Sequence, residues 1–424
     1  METISLLESK RIVLGVTGGI AAYKVCTLAS RLTQAGAQVD VVLTEAATRF
    51  VAPLTFEALT GRPAYVSMWH TAAEGLPTHI AHVGLAHAAD LMVVAPATAN
   101  TMAKLAYGLA DNLLSTLALA AQCPLLLAPA MDVGMWCHPA TQANVARLRE
   151  RGIAFAGPAR GRMASGLEGE GRLLDPDQLL GHLRHVLGAH GPLAGRHVVV
   201  SAGPTREPLD PVRFLSNASS GRQGFALAQA AVDGGARVTL VAGPTHLETP
   251  VGVDRVDVTT VQEMKDAVLQ ASVRADALLM AAAVGDYAPE EVAPDKLKKG
   301  PDTMALRLTR TADVLEAVAV SRAECGRPHV VVGFAAETED LVENARAKLE
   351  AKDLDLIVAN DVTAPDAGFG AETNRVVLLG REPTPGLAEG PGPTALPLMT
   401  KFAVAERVLD RVQNLLQAAD DQIR

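Results

Sequence analysis

Residues 198–224 read VVVSAGPTREPLDPVRFLSNASSGRQG. The apolar start predicts a strand, and Ser219, Ser220 and Gly221 open a second apolar-periodic run that predicts a helix. The first amide groups of a helix lack partners within the helix and favour negative charge, so a long loop at this place is typical of an anion site. A serine-capped crossover with no ligand is the simpler interpretation of the same pattern.

The loop between this strand and helix carries Arg206, Arg213 and Asn217. Two guanidinium groups and an amide exceed what a simple connection needs, and arginine suits bidentate contacts with phosphate or carboxylate groups. The length of the loop and its two arginines therefore favour a phosphate or nucleotide site over a plain crossover.

Strand, loop and helix alternate in the same way along the whole chain. In the first half we predict strands at residues 11–17, 38–43, 91–95 and 125–128, and helices at 20–34, 79–88, 98–106, 112–121 and 139–151. After a glycine-rich boundary at 182–196 the order restarts, with strands at 237–242, 277–281, 329–334, 356–359 and 375–379 and helices at 225–234, 261–273, 339–351 and 401–416. All-apolar strands separated by helices predict an α/β protein with two doubly wound, mostly parallel sheets covered on both faces. We place the domains at residues 1–188 and 189–424.

Two segments lack a clear period. Glycines and charges dominate residues 157–174, which predicts a loop or flap rather than packed structure. Residues 382–397 are rich in proline and glycine, which predicts a solvated hairpin loop.

Composition limits the class of protein. With 424 residues, 49% hydrophobic and 20% charged, the chain is expected to be soluble and to form two or three domains. A net charge of -9 gives no electrostatic footprint for nucleic acid or an anionic membrane. Its four cysteines form no CxxC pair, which argues against a disulfide framework or structural zinc. Without a signal core or a spanning apolar run, we expect a cytoplasmic protein.

The first half places small and polar residues where predicted strands end. GVTGGIAAYK, residues 15–24, puts glycines and the Thr17 hydroxyl between a strand and a helix, which fits a single phosphate, although a tight turn without ligand is an equal alternative. APATAN, residues 95–100, and PAMD, residues 129–132, follow two further strands. Open α/β sheets bind ligands at these strand ends, so we expect a planar ring there, with polar contacts from Thr98, Asn100 and Ser115.

His79 and His82 have the HxxH spacing of one helical face. No cysteine or carboxylate joins them at ligand spacing, so a metal site is not expected. From periodicity alone, a packing or surface histidine is the preferred interpretation of His79.

These motifs together resemble a known family. GVTGGIAAYK, THI, APATANTMAKLAYGLADN and PAMD are similar to the flavin-dependent phosphopantothenoylcysteine decarboxylases. The second half is similar to the phosphopantothenate–cysteine ligases that bacteria commonly fuse to them, so the resemblance covers nearly the whole chain. It implies an FMN-binding flavoprotein-like domain followed by a Rossmann-like CTP-binding ligase domain, a bifunctional enzyme of coenzyme A biosynthesis.

The resemblance implies a reaction and a site for the first half. The cysteinyl thiol of 4'-phosphopantothenoylcysteine is oxidised with FMN, carbon dioxide leaves, and reduction with protonation gives 4'-phosphopantetheine. His79, Asp132 and Ser165 fall on catalytic positions. The FMN positions are Thr17, Gly18, Gly19, Ile20, Ala95, Pro96, Ala97, Thr98, Asn100, Ser115 and Met131.

Two of these catalytic positions depart from the family pattern. Asp132 stands where the family has asparagine, and an aspartate near a leaving carboxylate invites repulsion unless it is protonated or turned aside. Ser165 stands where the family has its acidic cysteine, and a hydroxyl is a poorer acid than a thiol. Cys137 is the thiol nearest to PAMD in sequence, but a small packing residue is its simpler interpretation. We expect an active variant in which Ser165 or water delivers the proton.

For the second half, the resemblance implies ligation of 4'-phosphopantothenate to L-cysteine. CTP with Mg2+ activates the acid as an acyl-cytidylate, and the metal ligands are unknown. Asn217 matches a residue of intermediate turnover, Arg213 faces substrate phosphate or carboxylate, and Asp286 reads the cytidine. Lys296, Lys298 and Lys299 form a lid over the phosphates. The remaining expected CTP contacts are Met280, Ala281, Ala282, Ala312, Asp313, Val314, Leu315, Phe334, Lys348 and Lys352.

Local alternatives remain for several of these residues. Asp286 alone is equally a loop carboxylate or helix cap, the lysine run a solvated face, and Lys348 with Lys352 the stabilising pair of an exposed helix. For the protein as a whole, the alternatives are a ligase with an impaired flavin-binding half and a regulatory flavoprotein. The resemblance also implies trimeric decarboxylase and dimeric ligase contacts, giving a dodecamer.

Overall fold

The computed structural model describes residues 4–69, 78, 80–298, 304–337, 339–361, 370–381 and 392–423. The chain divides into two compact units, Met1–Gly188 and Ala189–Arg424. No helix within the described ranges is both long and apolar enough to cross a membrane.

The first unit is built on one parallel sheet of six strands in the order β3-β2-β1-β4-β5-β6. The strands are β1 Arg11–Val16, β2 Gln38–Leu43, β3 Ala64–Tyr65, β4 Leu91–Ala97, β5 Leu125–Pro129 and β6 Ala154–Phe155. The helices are α1 Ala22–Gln34, α2 Pro53–Thr60, α3 Ala81–Ala88, α4 Ala99–Tyr107, α5 Leu113–Ala120, α6 Val133–Trp136, α7 Pro139–Glu150 and α8 Pro176–Gly188. The strand order reverses between β1 and β4, which makes that crevice the switch point where such sheets bind ligands.

The second unit repeats this order in an eight-stranded sheet, β13-β12-β9-β14-β17-β18-β20-β21. Its first six strands are parallel, and β20 and β21 add an antiparallel edge. The sheet strands are β9 His197–Ala202, β12 Arg237–Ala242, β13 Val253–Asp257, β14 Ala277–Met280, β17 Val330–Glu337, β18 Leu356–Asp361, β20 Val376–Gly380 and β21 Thr394–Ala395. The helices are α9 Arg222–Asp233, α10 Val261–Ser272, α11 Val314–Cys325, α12 Leu341–Ala351 and α13 Lys401–Ile423.

Four short antiparallel pairs complete the two units. The first unit has β7 Ala159–Arg162 with β8 Glu168–Arg172. The second has β10 Arg206–Pro208 with β11 Phe214–Ser216, β15 Tyr287–Pro289 with β16 Leu308–Arg310, and β19 Thr373–Asn374 with β22 Met399–Thr400.

The apolar strands are buried on both faces, as predicted. In β9, Val198 and Val200 pack in one core cluster with α9 and α13, whereas Val199 packs in a second cluster with α10, α11 and α12. Successive strand side chains point to opposite faces, so a strand covered on both sides reads as a continuous apolar run. The predicted α/β class, two doubly wound and mostly parallel sheets, is confirmed.

The prediction for residues 157–174 was wrong, because this segment contains the β7–β8 hairpin. The run EGEGR in β8 alternates with the period of a strand, and its glycines permit close packing rather than mark a loop. At Gly171 an added Cβ would collide with the backbone oxygen of Met131. The Met131 amide donates to the Gly171 oxygen at 2.9 Å, so the hairpin is bonded to the PAMD loop.

Several short elements were missed in the sequence. The strand at Leu91 is the fourth, not the third, because the two-residue strand β3 carries too little pattern to detect. Helices α2 and α11 and strand β13 were also not predicted. Of the hairpin loop predicted at 382–397, residues 382–391 lie outside the described ranges, and β21 follows them.

Candidate functional site

In the first unit the Thr17 hydroxyl joins the two motifs at the switch point. Its Oγ1 donates to the backbone oxygen of Pro96 at 2.5 Å and accepts from the amide of Thr98 at 3.2 Å. Thr17 is buried, and its only proton is used by Pro96. The hydroxyl therefore connects the two loops at the crevice between β1 and β4. The sequence suggested that this hydroxyl contacts a phosphate, but its proton is not free for that contact.

The glycines after β1 leave room for a ligand at the start of α1. Gly18 approaches the loop after β2, and a Cβ there would lie 2.5 Å from the Cβ of Ala46. A Cβ on Gly19 would meet nothing within 4 Å. No side chain of the described residues caps α1 at Ala21, and Ile20 beside it is exposed. The free helix start and the open space fit one phosphate group of a cofactor held by backbone amides.

The ends of β4 and β5 lie side by side, because the Ala130 amide donates to the Ala97 oxygen at 3.2 Å. Thr98 caps α4 by accepting from the Thr101 amide, and Asn100, the second residue of that helix, is exposed. Ser115 is buried and forms a capping box with Asn112 at the start of α5. The structure therefore uses the Ser115 side chain as a helix cap, not as a free ring contact.

Asp132 and Ser165 meet, although 33 positions separate them in sequence. Ser165, at the tip of the β7–β8 hairpin, donates from Oγ to Oδ2 of Asp132 at 2.6 Å. The other carboxylate oxygen of Asp132 accepts from the Gly134 amide at 3.0 Å and caps α6. The Ser165 hydrogen bond and then that of Gly134 lower the pKa of Asp132. The carboxylate of Asp132 is thus turned onto the hairpin and onto the start of α6, which is the 'turned aside' alternative of the sequence analysis.

A second contact fastens the same hairpin. The Trp136 indole Nε1 donates to Oε2 of Glu170 at 3.3 Å. Together with the Met131–Gly171 bond, it holds the hairpin against α6, so Ser165 is presented by packed structure. The expected catalytic residue His79 lies outside the described residues.

In the second unit, residues from distant segments line one cavity of about 1020 Å3. It opens at the carboxyl ends of β14, β17 and β18 and at the start of α9. The predicted residues in its wall are Asn217, Met280, Ala281, Ala282, Asp286, Ala312, Asp313, Val314, Leu315, Phe334, Lys348 and Lys352. The side chain of Asn217 donates to the Val284 oxygen at 2.9 Å and so ties the long loop to the segment after β14.

One wall of the cavity is cationic. Lys352 pairs with Asp313 at 2.7 Å, and Asp313 also caps α11 through the Glu316 amide. Desolvation raises the pKa of Asp313, but the bond from Lys352 and the helix amides outweigh it and leave that pKa lowered. Lys348 lies one turn before Lys352 and also faces the cavity. The pair is spaced to reach one polyphosphate.

Three of the predicted cationic contacts do not line this cavity, namely Arg213, Lys296 and Lys298. Arg213 donates to the backbone oxygen of Leu297 and lies 3.6 Å from Asp210. The Asp210 carboxylate also accepts from the Leu297 amide at 3.1 Å. Arg213 thus anchors the lysine segment instead of facing the cavity, and Lys296 and Lys298 beside Leu297 are exposed to solvent. Lys299 lies outside the described residues.

The cavity also contains polar residues that the sequence analysis missed. They come from the starts of α9 and α13, from β16, and from the ends of β18 and β19, namely Arg222, Gln223, Arg310, Asn360, Asn374 and Lys401. Lys401 is buried, and burial followed by the nearby Arg222 lowers its pKa. The rule that polar residues after a buried strand face the site would have found Asn360. Arg222 and Lys401 belong to helix starts and carry no comparable signal.

Among the residues that the structure describes, no three histidine, cysteine, aspartate or glutamate side chains are grouped to hold a metal ion.

Comparison with known proteins covers both units. Residues 2–188 match the model of the Flavoprotein family, and residues 193–416 match that of the DNA/pantothenate metabolism flavoprotein C-terminal domain. The coenzyme A biosynthesis bifunctional protein CoaBC of Bacillus subtilis (strain 168) is 44% identical over 413 residues, which are 97% of this chain and 98% of that protein. The protein of the same name from Mycobacterium bovis is 44% identical over 419 residues, 96% of this chain and 97% of that one.

A solved structure, the C-terminal domain of a coenzyme A biosynthesis bifunctional protein CoaBC, is 36% identical. It covers 54% of this chain and 99% of that chain, with a TM-score of 0.44. From the matches along nearly its full length, the chain belongs to the family of bifunctional coenzyme A biosynthesis proteins.

Proposed function

We propose that residues 189–424 ligate 4'-phosphopantothenate to L-cysteine with CTP, and that residues 1–188 decarboxylate the product, 4'-phosphopantothenoylcysteine, to 4'-phosphopantetheine. Family membership supports both steps. The observation that carries the proposal is that one cavity of the second unit gathers Asn217, Asp286, and the α12 pair Lys348 and Lys352 from three separate segments.

The ligation consists of two successive nucleophilic substitutions. A carboxylate oxygen of the acid attacks the α-phosphorus of CTP, and pyrophosphate leaves. The amine of cysteine then attacks the acyl carbon, loses a proton, and releases CMP. Lys348 and Lys352 would neutralise charge on the phosphates, and Asn217 would donate to the acyl group, which are the contacts that developing negative charge requires.

Several contacts of this step rest on the family resemblance. Asp286 would read the cytosine, and Mg2+ would enter with the triphosphate. Lys296 and Lys298 are exposed beside their anchor at Leu297, and we propose that they close over the phosphates, in their own chain or in a neighbouring copy. We also propose, on the same resemblance, a cytoplasmic homo-oligomer.

In the first unit, backbone amides at Gly19 and Ile20 would hold the FMN phosphate, and the ends of β4 and β5 would face its ring. A bound flavin would supply the reversible oxidation that makes the cysteinyl carboxylate a leaving group. Thr17 keeps the crevice at fixed width, and the hairpin brings Ser165 to Asp132. In this arrangement the Ser165 proton points at Asp132, so its delivery to the product carbon requires that pair to separate.

Both half-reactions should be assayed on one sample with product masses. We expect pyrophosphate release that needs CTP, the acid and cysteine together, followed by carbon dioxide release and a mass equal to that of 4'-phosphopantetheine. Carbon dioxide with only the unsaturated enethiol would show that Ser165 does not replace the family's acid. Ligation with bound flavin and no carbon dioxide would mean an impaired first unit. No CTP-dependent pyrophosphate release would contradict the proposal for the second.

A further inference from the structure

The amino-terminal edge of the second sheet carries a cluster of arginines that the ligation does not use. Strands β12, β9, β14 and β17 lie side by side in that order. Each of them has an arginine within three residues of its first residue, namely Arg237, Arg196, Arg274 and Arg327. Neighbouring strands are about 4.8 Å apart, and all four arginines line one pocket of about 710 Å3. We call it the arginine pocket.

A buried aspartate holds two of the four arginines. Asp276 accepts from Arg327 at 2.9 Å and from the His197 amide at 2.8 Å, and Arg196 lies 3.6 Å from it. Arg196 also pairs with Asp420. Desolvation raises the pKa of Asp276, but the His197 amide and Arg327 outweigh it and leave that pKa lowered. Two guanidinium groups are therefore held in fixed positions in the pocket.

The other two arginines have no partner of this kind. Within the described ranges, neither Arg237 nor Arg274 makes a hydrogen bond or ion pair through its side chain, and both are exposed. The lining of the pocket thus has four guanidinium groups against one carboxylate, in a chain whose net charge is -9. A cleft lined by one sign of charge raises the local concentration of ions of the opposite sign. The pocket is therefore suited to an anion.

We propose that the arginine pocket binds an anion with two or more linked phosphate groups. Guanidinium groups bind phosphate oxygens in pairs, and arginines from adjacent strands allow linked phosphates to meet more than one of them. The volume of the pocket is typical of small-molecule sites. β9 has six residues of about 3.3 Å each, so the pocket is about 20 Å from the cavity where ligation is proposed. It is therefore a second site, and its existence does not depend on the ligase reaction.

The test follows the ring of His197, which also lines the arginine pocket. In the full-length chain with 13C-labelled histidine rings, its NMR signal is identified by its loss in His197→Gln. We expect a saturable shift of this signal on addition of pyrophosphate. The pKa of His197 should also rise, because a bound anion opposes the lowering by burial and by Arg237 and adds to the effects of Asp276 and Asp254. The ligation cavity is at the other end of β9, so binding there does not produce this signal.

Three further anions define the class of ligand. Orthophosphate, with one group, should bind about tenfold more weakly than pyrophosphate, because it meets fewer guanidinium groups. Citrate, which carries carboxylates only, should also bind more weakly. ADP carries the linked phosphates on a nucleoside, so tighter binding than that of pyrophosphate would assign a nucleotide, and equal or weaker binding would assign the inorganic diphosphate.

Arg237→Gln combined with Arg274→Gln removes the two unpartnered guanidinium groups. We expect pyrophosphate to bind at least about tenfold more weakly to this variant, because charge-assisted hydrogen bonds are lost. Lysine at both positions keeps the charge without the bidentate geometry and should give an intermediate loss. CTP-dependent ligation should stay within about twofold of the wild type, which also shows that the variant folds.

Arg346→Gln combined with Arg407→Gln is the matched control. It removes the same charge from α12 and α13, and neither residue lines either pocket. It should keep the wild-type affinity for pyrophosphate. The proposal is overturned if the His197 signal does not respond to pyrophosphate, if both double variants weaken binding equally, or if orthophosphate or citrate binds as tightly as pyrophosphate. None of these outcomes bears on whether the second unit ligates.

Discussion

The two units share a strand order, and they share a device at its reversal point. In the first unit, the Thr17 hydroxyl after β1 accepts from the Thr98 amide after β4. In the second, Ser201 Oγ in β9 accepts from the Ala282 amide after β14 at 3.1 Å, and Thr205 Oγ1 accepts from the Gly285 amide at 2.9 Å. In both sheets a hydroxyl spans the crevice between the first and fourth strands, which is where such folds bind ligands.

What differs is the charge around the crevice. Each unit has an aspartate that caps a helix there, but Asp132 pairs with the neutral Ser165 and Asp313 pairs with Lys352. The cavity of the second unit has further cationic side chains in its wall, among them Lys348 and Arg310. This difference in charge is what we expect if the first unit binds a ring with one phosphate and the second a polyphosphate, as proposed above.

The strongest test of the shared device is Thr17→Val. It is nearly isosteric, but it leaves the Pro96 oxygen and the Thr98 amide without their partner. An unsatisfied buried group costs about 1–3 kcal/mol, so we expect the first unit to unfold about 5–10 °C lower, given about 2–4 °C per kcal/mol at this size. Flavin content, measured by absorbance, should fall with it while ligation continues.

Thr17→Ser, which keeps the hydroxyl, is the control for this change and should retain flavin. Normal flavin content and stability in Thr17→Val would show that the hydroxyl does not maintain the crevice.

Thr205→Val makes the same change in the second unit with a smaller expected effect. Here the hydroxyl oxygen serves one amide, that of Gly285, and Ser201 still bridges the crevice nearby. We expect a loss of about 1–2 kcal/mol in the free energy of unfolding and a several-fold higher KM for CTP, with carbon dioxide release unchanged. Thr205→Ser should restore the KM. A Thr205→Val effect on decarboxylation alone would refute the separation of the two sites.

The sequence predicted the sheets better than the sites for a physical reason. Strands such as Val198–Val200 are apolar on both faces, and burial imposes that pattern locally. The family resemblance indicated Asp286 and Phe334 as CTP contacts, and both line one cavity. The direction in which a side chain points is not local. The Thr17 hydroxyl donates to the backbone oxygen of Pro96, 79 positions away. The Arg213 guanidinium donates to that of Leu297, 84 positions away.

The β7–β8 hairpin shows a second limit. Its glycines resembled a loop because their use, close approach to Met131, depends on a partner distant in sequence. The Asp132–Ser165 pair was not foreseen for the same reason, although each residue was singled out separately. The two departures from the pattern of the resembling family thus contact each other.

The smallest expected effect concerns the pKa values of the two aspartates that cap helices, Asp132 and Asp313. Ser165 lowers the pKa of Asp132 by a neutral hydrogen bond, so Ser165→Ala should raise that pKa toward the ordinary aspartate value of about 3.9. Lys352→Met should raise the pKa of Asp313 further, because a charged partner is lost while the desolvation remains. Carboxyl carbon NMR titrations of the two variants and the wild type measure both shifts.

Because both pKa values are lowered in the folded state, the free energy of unfolding should fall as the solution becomes acidic. Each pair stabilises the folded state fully above the unfolded pKa of about 3.9 and loses that contribution as pH falls through the lower folded value. Below that range, protonated Asp132 accepts more weakly from Ser165, so the tip of the hairpin should loosen in acid. Equal titration of Asp132 in wild type and Ser165→Ala would mean that the hairpin does not hold this carboxylate in solution.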